Sequence, residues 1–100
     1  MVLDVSEQKT SWFVYLIKTA AGQLYTGIST DVERRFHEHQ SGGKRAAKFL
    51  RGKGPLRLVF FTEVADRAAA SRLEYQIKQL KAAQKERLVA GDIEPSELIA

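Results

Sequence analysis

The sequence lacks cysteine, long apolar runs and an apolar stretch near its start, and each absence excludes a class of protein. Cysteine is absent, so neither a disulfide framework nor a thiolate metal site can form, which suits a reducing compartment such as the cytoplasm. The longest apolar run, residues 12–17, is far too short to cross a bilayer, so we expect no membrane partner. Residues 1–11 contain acids and no apolar stretch, so they do not resemble a secretory signal. Hydrophobic residues make up 44% of the sequence, enough for the core of one small domain.

Acidic residues are missing from one stretch of the chain. Six basic residues and no acid lie between His39 and Thr62, so this stretch carries +6 while the whole chain carries +4. We call residues 44–53 the basic segment, and its charged side chains are Lys44, Arg45, Lys48, Arg51 and Lys53. Concentrated positive charge attracts polyanions, of which nucleic acid is the commonest. On charge alone, a solvated and poorly ordered loop is an equally good interpretation.

Hydrophobic periodicity predicts an α/β domain with the order β-β-α-β-α-α. We expect strands at residues 12–18, 23–28 and 56–62, and helices at about 30–41, 66–81 and 83–90. Thr30 and Glu33 have the spacing of a capping box, and Asp66 and Gly91 suit a helix start and a helix end. The sheet should be small, three-stranded, antiparallel or mixed, and flanked by helices. The expected organisation is a loose arm at 1–11, a domain at 12–91 and an acidic tail at 92–100.

The helix that follows the first two strands carries a candidate phosphate contact. Arg35 and His39 are four residues apart and therefore share one helix face. Arg34 points about 100° away from Arg35, so only Arg35 shares the face of His39. A guanidinium group offers a planar fork that matches two phosphate oxygens. The alternative is a surface ion pair between Arg35 and Asp31.

Three further polar residues are candidates for a reaction site. Tyr15 and Tyr25 lie on the two strands of the predicted hairpin, where a tyrosine is more often a packing residue. A phenol, whose ordinary pKa is about 10, becomes a useful base only beside a cation. Glu74 is the only acid between Asp66 and Glu86, so it either holds Mg²⁺ or pairs with a lysine four residues later.

Three segments together resemble the GIY-YIG nuclease domain. They are V-Y-L-I-K, L-Y-T-G-I-S-T-D-V-E-R-R-F-x-x-H and L-E-Y-Q-I-K-Q-L, and the resemblance covers about residues 12–91. The chain is most similar to the small stand-alone bacterial members. The two motifs that name the family fall on Phe13-Val14-Tyr15 and on Tyr25-Thr26-Gly27, with Phe-Val in place of Gly-Ile and Thr26 in place of Ile. Many family nucleases also use an Asn downstream of the Glu. This chain has no Asn, and Gln79, Gln84 and Lys85 are the available substitutes.

The resemblance implies a metal-dependent endonuclease that acts on DNA, in repair or other DNA processing. It implies a catalytic set of Tyr15, Tyr25, Arg35, His39 and Glu74, with Mg²⁺ or Mn²⁺ on Glu74. Tyr15 is the candidate base for the attacking water, although the roles of the two tyrosines could be exchanged. The basic segment would follow the nucleic-acid backbone without reading bases. The alternatives are RNA as substrate, or a non-catalytic module that binds nucleic acid or a protein partner. A protein partner could also supply targeting.

Overall fold

The computed structural model describes residues 10–98 of the chain. Its strands are β1 (Trp12–Lys18), β2 (Leu24–Ser29) and β3 (Arg57–Val64), and its helices are α1 (Val32–Ser41), α2 (Arg67–Gln79) and α3 (Ala82–Ala90). Short 3₁₀ turns lie at Lys48–Leu50 and Pro95–Leu98. This agrees with the predicted order β-β-α-β-α-α. The expected arm at 1–11 falls mostly outside the described residues, as does the end of the expected tail.

The three strands form one antiparallel sheet with β1 in the centre. The six consecutive apolar residues of β1 fit this position, because a central strand with both faces covered is hydrophobic throughout. Val14 and Leu16 pack in one buried cluster with side chains of α2 and α3. Tyr15 and Ile17 point to the other face and pack in a second cluster. The sheet is therefore covered on both faces. No helix of the described part is long and apolar enough to cross a bilayer.

The second cluster joins the sheet to α1 and to the end of the basic segment. Besides Tyr15 and Ile17 it contains Leu50 and Leu56, with partly buried side chains of β2, α1 and β3 packed around it. The side-chain amide of Gln40 accepts a hydrogen bond from the Leu56 N–H (2.9 Å) and donates one to the Leu56 carbonyl (3.2 Å). At the other side, the Ala20 N–H donates to the carbonyl of Lys53 (3.0 Å). The bond to Lys53 and the burial of Leu50 hold the end of the basic segment against the sheet, while most of its charged side chains are exposed to solvent.

The start of α1 differs from the prediction. Asp31 is the N-cap, and its carboxylate accepts the Arg34 N–H at 3.0 Å. The hydroxyl of Ser29 accepts the Asp31 N–H at 2.9 Å and supports this turn. The capping box predicted for Thr30 and Glu33 is therefore wrong. Asp is at least as good an N-cap as Thr, and the Ser29 bond favours the later start.

The start of α2 agrees with the prediction. Asp66 is its N-cap, and the carboxylate accepts the Ala69 N–H at 2.8 Å. The helix ends at Gln79, two residues before the predicted limit. Its buried side chains include Ala70, Leu73 and Ile77, which pack on β1. This packing fixes the position of Glu74, the next residue after Leu73, relative to the sheet.

Candidate functional site

The ring of Tyr15 lies directly over the backbone of Gly27. The two residues are cross-strand partners in β1 and β2. A Cβ atom at residue 27 would lie 2.4 Å from the hydroxyl oxygen of Tyr15 and 2.5 Å from its Cζ atom. Any side chain at this position would therefore displace the ring. A glycine inside a strand often marks such a close approach.

The hydroxyl group of Tyr15 on β1 is hydrogen-bonded to the ring of His39 on α1. The distance from the Tyr15 hydroxyl oxygen to His39 Nε2 is 2.9 Å, and both side chains are about 1% exposed. The other ring nitrogen of His39, Nδ1, accepts the backbone N–H of Ala47 at 3.1 Å. A nitrogen that accepts a hydrogen bond carries no proton, so in neutral His39 the proton is on Nε2. His39 consequently donates to Tyr15, and the hydroxyl proton of Tyr15 is free for another acceptor.

The protonation state of His39 follows from its environment. Burial above all, together with the positive charge of Arg35, lowers the pKa of His39 to about 4, whereas the charge of Glu38 opposes this shift. His39 is therefore neutral near pH 7. In this state it is a fixed hydrogen-bond donor to Tyr15 rather than a general base.

Tyr25 completes a group of aromatic rings around His39. Its ring centroid lies 5.5 Å from that of His39 and 6.4 Å from that of Tyr15. It also stacks on Phe49 of the basic segment, with centroids 6.1 Å apart and planes inclined by 18°. The ammonium group of Lys53 lies 3.5 Å from the centre of the same Phe49 ring. Phe49 thus anchors the basic segment to the site.

Arg35 rather than Arg34 lies at this cluster. The charge of Arg35 lowers the pKa of both Tyr15 and His39, so it acts on both groups. Arg34 is more exposed and lies 3.8 Å from Asp31. The structure thus places Arg35, rather than Arg34, beside Tyr15 and His39, on the side that helix phase predicts. The predicted alternative, a pair between Arg35 and Asp31, is wrong, because Arg35 pairs with Glu38 at 3.0 Å.

Glu38 is a residue that the sequence interpretation missed. Its carboxylate contacts Arg35 and also lies 3.6 Å from Arg45 of the basic segment. The only local signal in the sequence is its position three residues after Arg35, where helix side chains meet. That spacing is common on exposed helices and does not by itself indicate a site.

The hydroxyl group of Tyr15 is a weak acid in this environment. Burial is the main cause that raises its pKa above the ordinary value of 10, and Tyr25 and Glu74 raise it further. Arg35 acts in the opposite direction. The phenol is thus protonated at neutral pH. Deprotonation would need additional positive charge near the hydroxyl.

Glu74 approaches the cluster from α2. Its carboxylate lies 3.2 Å from the ammonium group of Lys78, four residues later. This is the ion pair that the sequence offers as the alternative to metal binding. Its side chain is 24% exposed, and its charge raises the pKa of Tyr15. Within residues 10–98, no three His, Cys, Asp or Glu side chains are grouped to hold a metal. A lone carboxylate fits an ion such as Mg²⁺, which keeps most of its waters and binds phosphate oxygens.

The basic segment runs beside this site. Lys44, Arg45, Lys48 and Arg51 are exposed, whereas Lys53 is partly buried on Phe49. The guanidinium group of Arg51 donates to the carbonyl of Lys44 at 3.0 Å. Four of the five predicted nucleic-acid contacts therefore present charge to solvent. Among the proposed substitutes for the missing Asn, Gln84 accepts the Lys81 N–H at 3.0 Å and is used at the start of α3.

Comparison with known proteins gives one family. The model of the GIY-YIG catalytic domain matches residues 11–87. The UPF0213 protein YhbQ of Escherichia coli K12 is 58% identical over 91 residues, which cover 91% of this chain and 89% of that protein. The protein of the same name from Escherichia fergusonii is also 58% identical over 91 residues, with the same coverage of both chains.

Two solved structures have the same fold. The solution NMR structure of the UPF0213 protein BH0048 from Bacillus halodurans superposes with a TM-score of 0.53 at 39% identity, covering 90% of this chain and 94% of that one. The solution NMR structure of the protein EF2693 from E. faecalis has a TM-score of 0.58 at 29% identity, covering 83% and 86%.

Proposed function

The chain belongs to the GIY-YIG catalytic domain family, which is a nuclease superfamily, and from this membership we propose that it is a metal-dependent endonuclease that hydrolyses phosphodiester bonds in DNA. The observation that carries the proposal is the meeting of four side chains from three elements, β1, α1 and α2. Tyr15 of β1 is bonded to His39 of α1, and the charges of Arg35 and Glu74 both act on its hydroxyl group.

Nucleases of this family generally use divalent metals, and Glu74 is the residue that would hold Mg²⁺ or Mn²⁺ here. When bound, such an ion supplies positive charge at a phosphate oxygen and polarises water. Lys78 would have to leave the carboxylate, and it could then contact a phosphate of the substrate. Because the protein offers one carboxylate, we expect weak metal affinity without DNA.

Arg35 is suited to stabilise the negative charge that develops on the phosphorus oxygens. Both of its hydrogen bonds within the described part of the chain use Nη1, one to Glu38 and one to the carbonyl of Arg45. Neither of these bonds uses Nε or Nη2, the edge that would face a phosphate. Fixed donors aimed at developing charge are often the largest single contribution to catalysis.

Tyr15 is our candidate for the base that takes a proton from the attacking water. To act as a base, Tyr15 must first lose its own hydroxyl proton to solvent, and His39 would stabilise that phenolate because its Nε2–H already points at the oxygen. Taking a proton from the attacking water would then return the phenolate to the phenol. Tyr25 would adjust the polarity of the same group or contact the phosphate, and the two tyrosines could exchange roles. The raised pKa of Tyr15 makes this step dependent on nearby positive charge.

The basic segment would bind the DNA backbone. Its exposed side chains neutralise phosphates without reading base edges, so binding should depend strongly on salt and weakly on sequence. We propose that it acts in DNA repair or another kind of DNA processing in the cytoplasm. A protein partner could direct the enzyme to its target.

A panel of substrates tests this proposal. Nicked, branched, double-stranded and single-stranded DNA, and RNA, are incubated with the protein and Mg²⁺, alongside Glu74→Ala and Arg35→Ala. The proposal predicts cleavage of at least one DNA, loss of cleavage with a chelator, and loss in both variants. Preferential cleavage of RNA would change the substrate assignment, and cleavage that persists unchanged in Glu74→Ala would overturn the mechanism.

Two observations favour a second function, a non-catalytic module that binds nucleic acid or a protein. Glu74 is paired with Lys78 at 3.2 Å, and burial raises the pKa of Tyr15 above the ordinary range. Binding to nucleic acid without cleavage of any substrate in the panel would support this module and reject the endonuclease.

A further inference from the structure

Glu38 places a carboxylate within a surface that otherwise suits phosphate. Its Oε1 atom lies 3.0 Å from Arg35 Nη1, and its Oε2 atom lies 3.6 Å from Arg45 Nη1. The hydrogen bond from Arg35 is the main cause that lowers the pKa of this carboxyl group, so it is ionised at neutral pH. An anion here repels nucleic acid. Its contribution must therefore be something other than binding.

The contact with Glu38 determines the orientation of the Arg35 guanidinium group. Nη1 of Arg35 is shared between Glu38 and the backbone carbonyl of Arg45. With this nitrogen fixed at two points, the edge formed by Nε and Nη2 faces a single direction. That edge is a two-donor fork of the kind that binds two oxygens of one phosphate. The Arg35 side chain is only 29% exposed, which also restricts its movement.

The same carboxylate joins α1 to the basic segment. Arg45 contacts Glu38 through its side chain and Arg35 through its carbonyl, so the three residues form a closed set of contacts. Two residues later, the backbone N–H of Ala47 fixes the tautomer of His39. The segment that would hold the DNA backbone is thus connected to both Arg35 and His39.

We propose that Glu38 is a positioning residue that orients Arg35 toward the scissile phosphate and couples it to the basic segment through Arg45. This inference rests on the proposed nuclease function, because it assigns Arg35 a phosphate. Glu38 should weaken nucleic-acid binding and yet increase turnover. A residue with only a structural role would not produce this opposite pair of effects.

The first test measures kcat and KM separately for Glu38→Gln, with Glu33→Gln as the matched control. Both substitutions remove one negative charge from α1, but Glu33 is exposed and outside the site. We expect kcat of Glu38→Gln to fall by about ten-fold or more, as for other losses of orientation. Its KM should be unchanged or lower, and its thermal midpoint should be near that of the wild type. An unchanged kcat in Glu38→Gln, or an equal fall in Glu33→Gln, would overturn the proposal.

Arg45→Ala gives a second comparison. This variant keeps the backbone carbonyl that binds Arg35 and removes one positive charge from the basic segment. We expect weaker DNA binding and a partial fall in kcat, smaller than that of Glu38→Gln, because Glu38 loses one of its two cationic partners but keeps Arg35. A fall in kcat as large as that of Glu38→Gln would contradict the assignment of the orienting role to Glu38.

A readout that needs no activity separates this proposal from the nuclease function. NMR relaxation of the Arg35 Nε–H group reports whether the guanidinium is fixed, in the wild type and in Glu38→Gln. We expect a rigid group in the wild type and a mobile one in the variant. If this is found but no substrate is cleaved, the nuclease function fails while the orienting contact stands. A guanidinium that is equally rigid in both proteins would overturn the contact itself.

Discussion

Gly27→Ala is the substitution whose effect the structure determines most directly. The new Cβ would lie 2.4 Å from the hydroxyl oxygen of Tyr15 and 2.5 Å from its Cζ atom, both well inside contact distance. The ring of Tyr15 is about 1% exposed and cannot swing away into solvent. Either the ring or β2 must move, and movement of the ring would strain the 2.9 Å bond to His39.

The sign of the effect on stability is informative. Without a clash, Gly→Ala in a strand stabilises by roughly 0.5–1 kcal/mol, because glycine loses more conformational freedom on folding. Overpacking a filled core costs about 1–3 kcal/mol. We therefore expect a net loss of about 1–2 kcal/mol in the free energy of unfolding. For a domain of this size each kcal/mol lowers the thermal midpoint by about 4–8 °C.

Thermal unfolding and DNA cleavage are measured on Gly27→Ala and on the control Gly43→Ala. A Cβ at Gly43 would meet only the hydroxyl oxygen of Ser41, at 3.8 Å, and its φ is not positive. The control should unfold near the wild-type temperature and retain its cleavage rate. Tyr15→Phe should not rescue the Gly27→Ala fold, because the Cζ atom at 2.5 Å remains. A Gly27→Ala variant as stable and as active as the control would refute the account of this contact.

Three further results are expected. The pKa of His39 is lowered, chiefly by burial, from an ordinary 6.5 to about 4. Between pH 6.5 and pH 4 the unfolded chain therefore binds a proton at His39 that the folded chain does not. The free energy of unfolding should consequently fall by roughly 3 kcal/mol as the pH is lowered from 6.5 to 4. Chemical denaturation should show a shallower fall in His39→Gln, and equal slopes would contradict this. Lys48→Ala and Arg51→Ala should each reduce the salt slope of DNA binding by about 1, as fluorescence anisotropy would show, and unchanged slopes would exclude these contacts. Glu74→Gln should weaken Mn²⁺ binding in the presence of DNA, measured by paramagnetic relaxation, and equal affinity would remove Glu74 as the ligand.

The elements of this fold follow from local sequence patterns. The apolar run of β1 and the periodicity of α2 are each contained within one short stretch of sequence, so the order of elements could be predicted. The start of α1 could not, because Ser29, Thr30 and Asp31 are all good caps. The choice among them depends on the hydrogen bond from the Asp31 N–H to Ser29.

Part of the site is also local, and part is not. Arg35 could be chosen over Arg34, because the helix period relates it to His39. The state of His39 could not be predicted, since it depends on a hydrogen bond from Ala47, eight residues later. The roles of Glu38 and of the stack between Lys53 and Phe49 likewise depend on how the basic segment folds back over the sheet. Such contacts are tertiary and leave no periodic signal in the sequence.

The single-turnover cleavage rate of wild-type protein and Glu74→Ala on the best-cleaved DNA of the panel, at saturating Mg²⁺, tests the central claim most directly. Our account requires Glu74 of α2 to act in one site with Tyr15 and Arg35. It predicts cleavage by the wild type and a loss on the order of 100-fold or more in the variant, with DNA affinity changed little. Equal rates for the two proteins, or no cleavage by either, would contradict it.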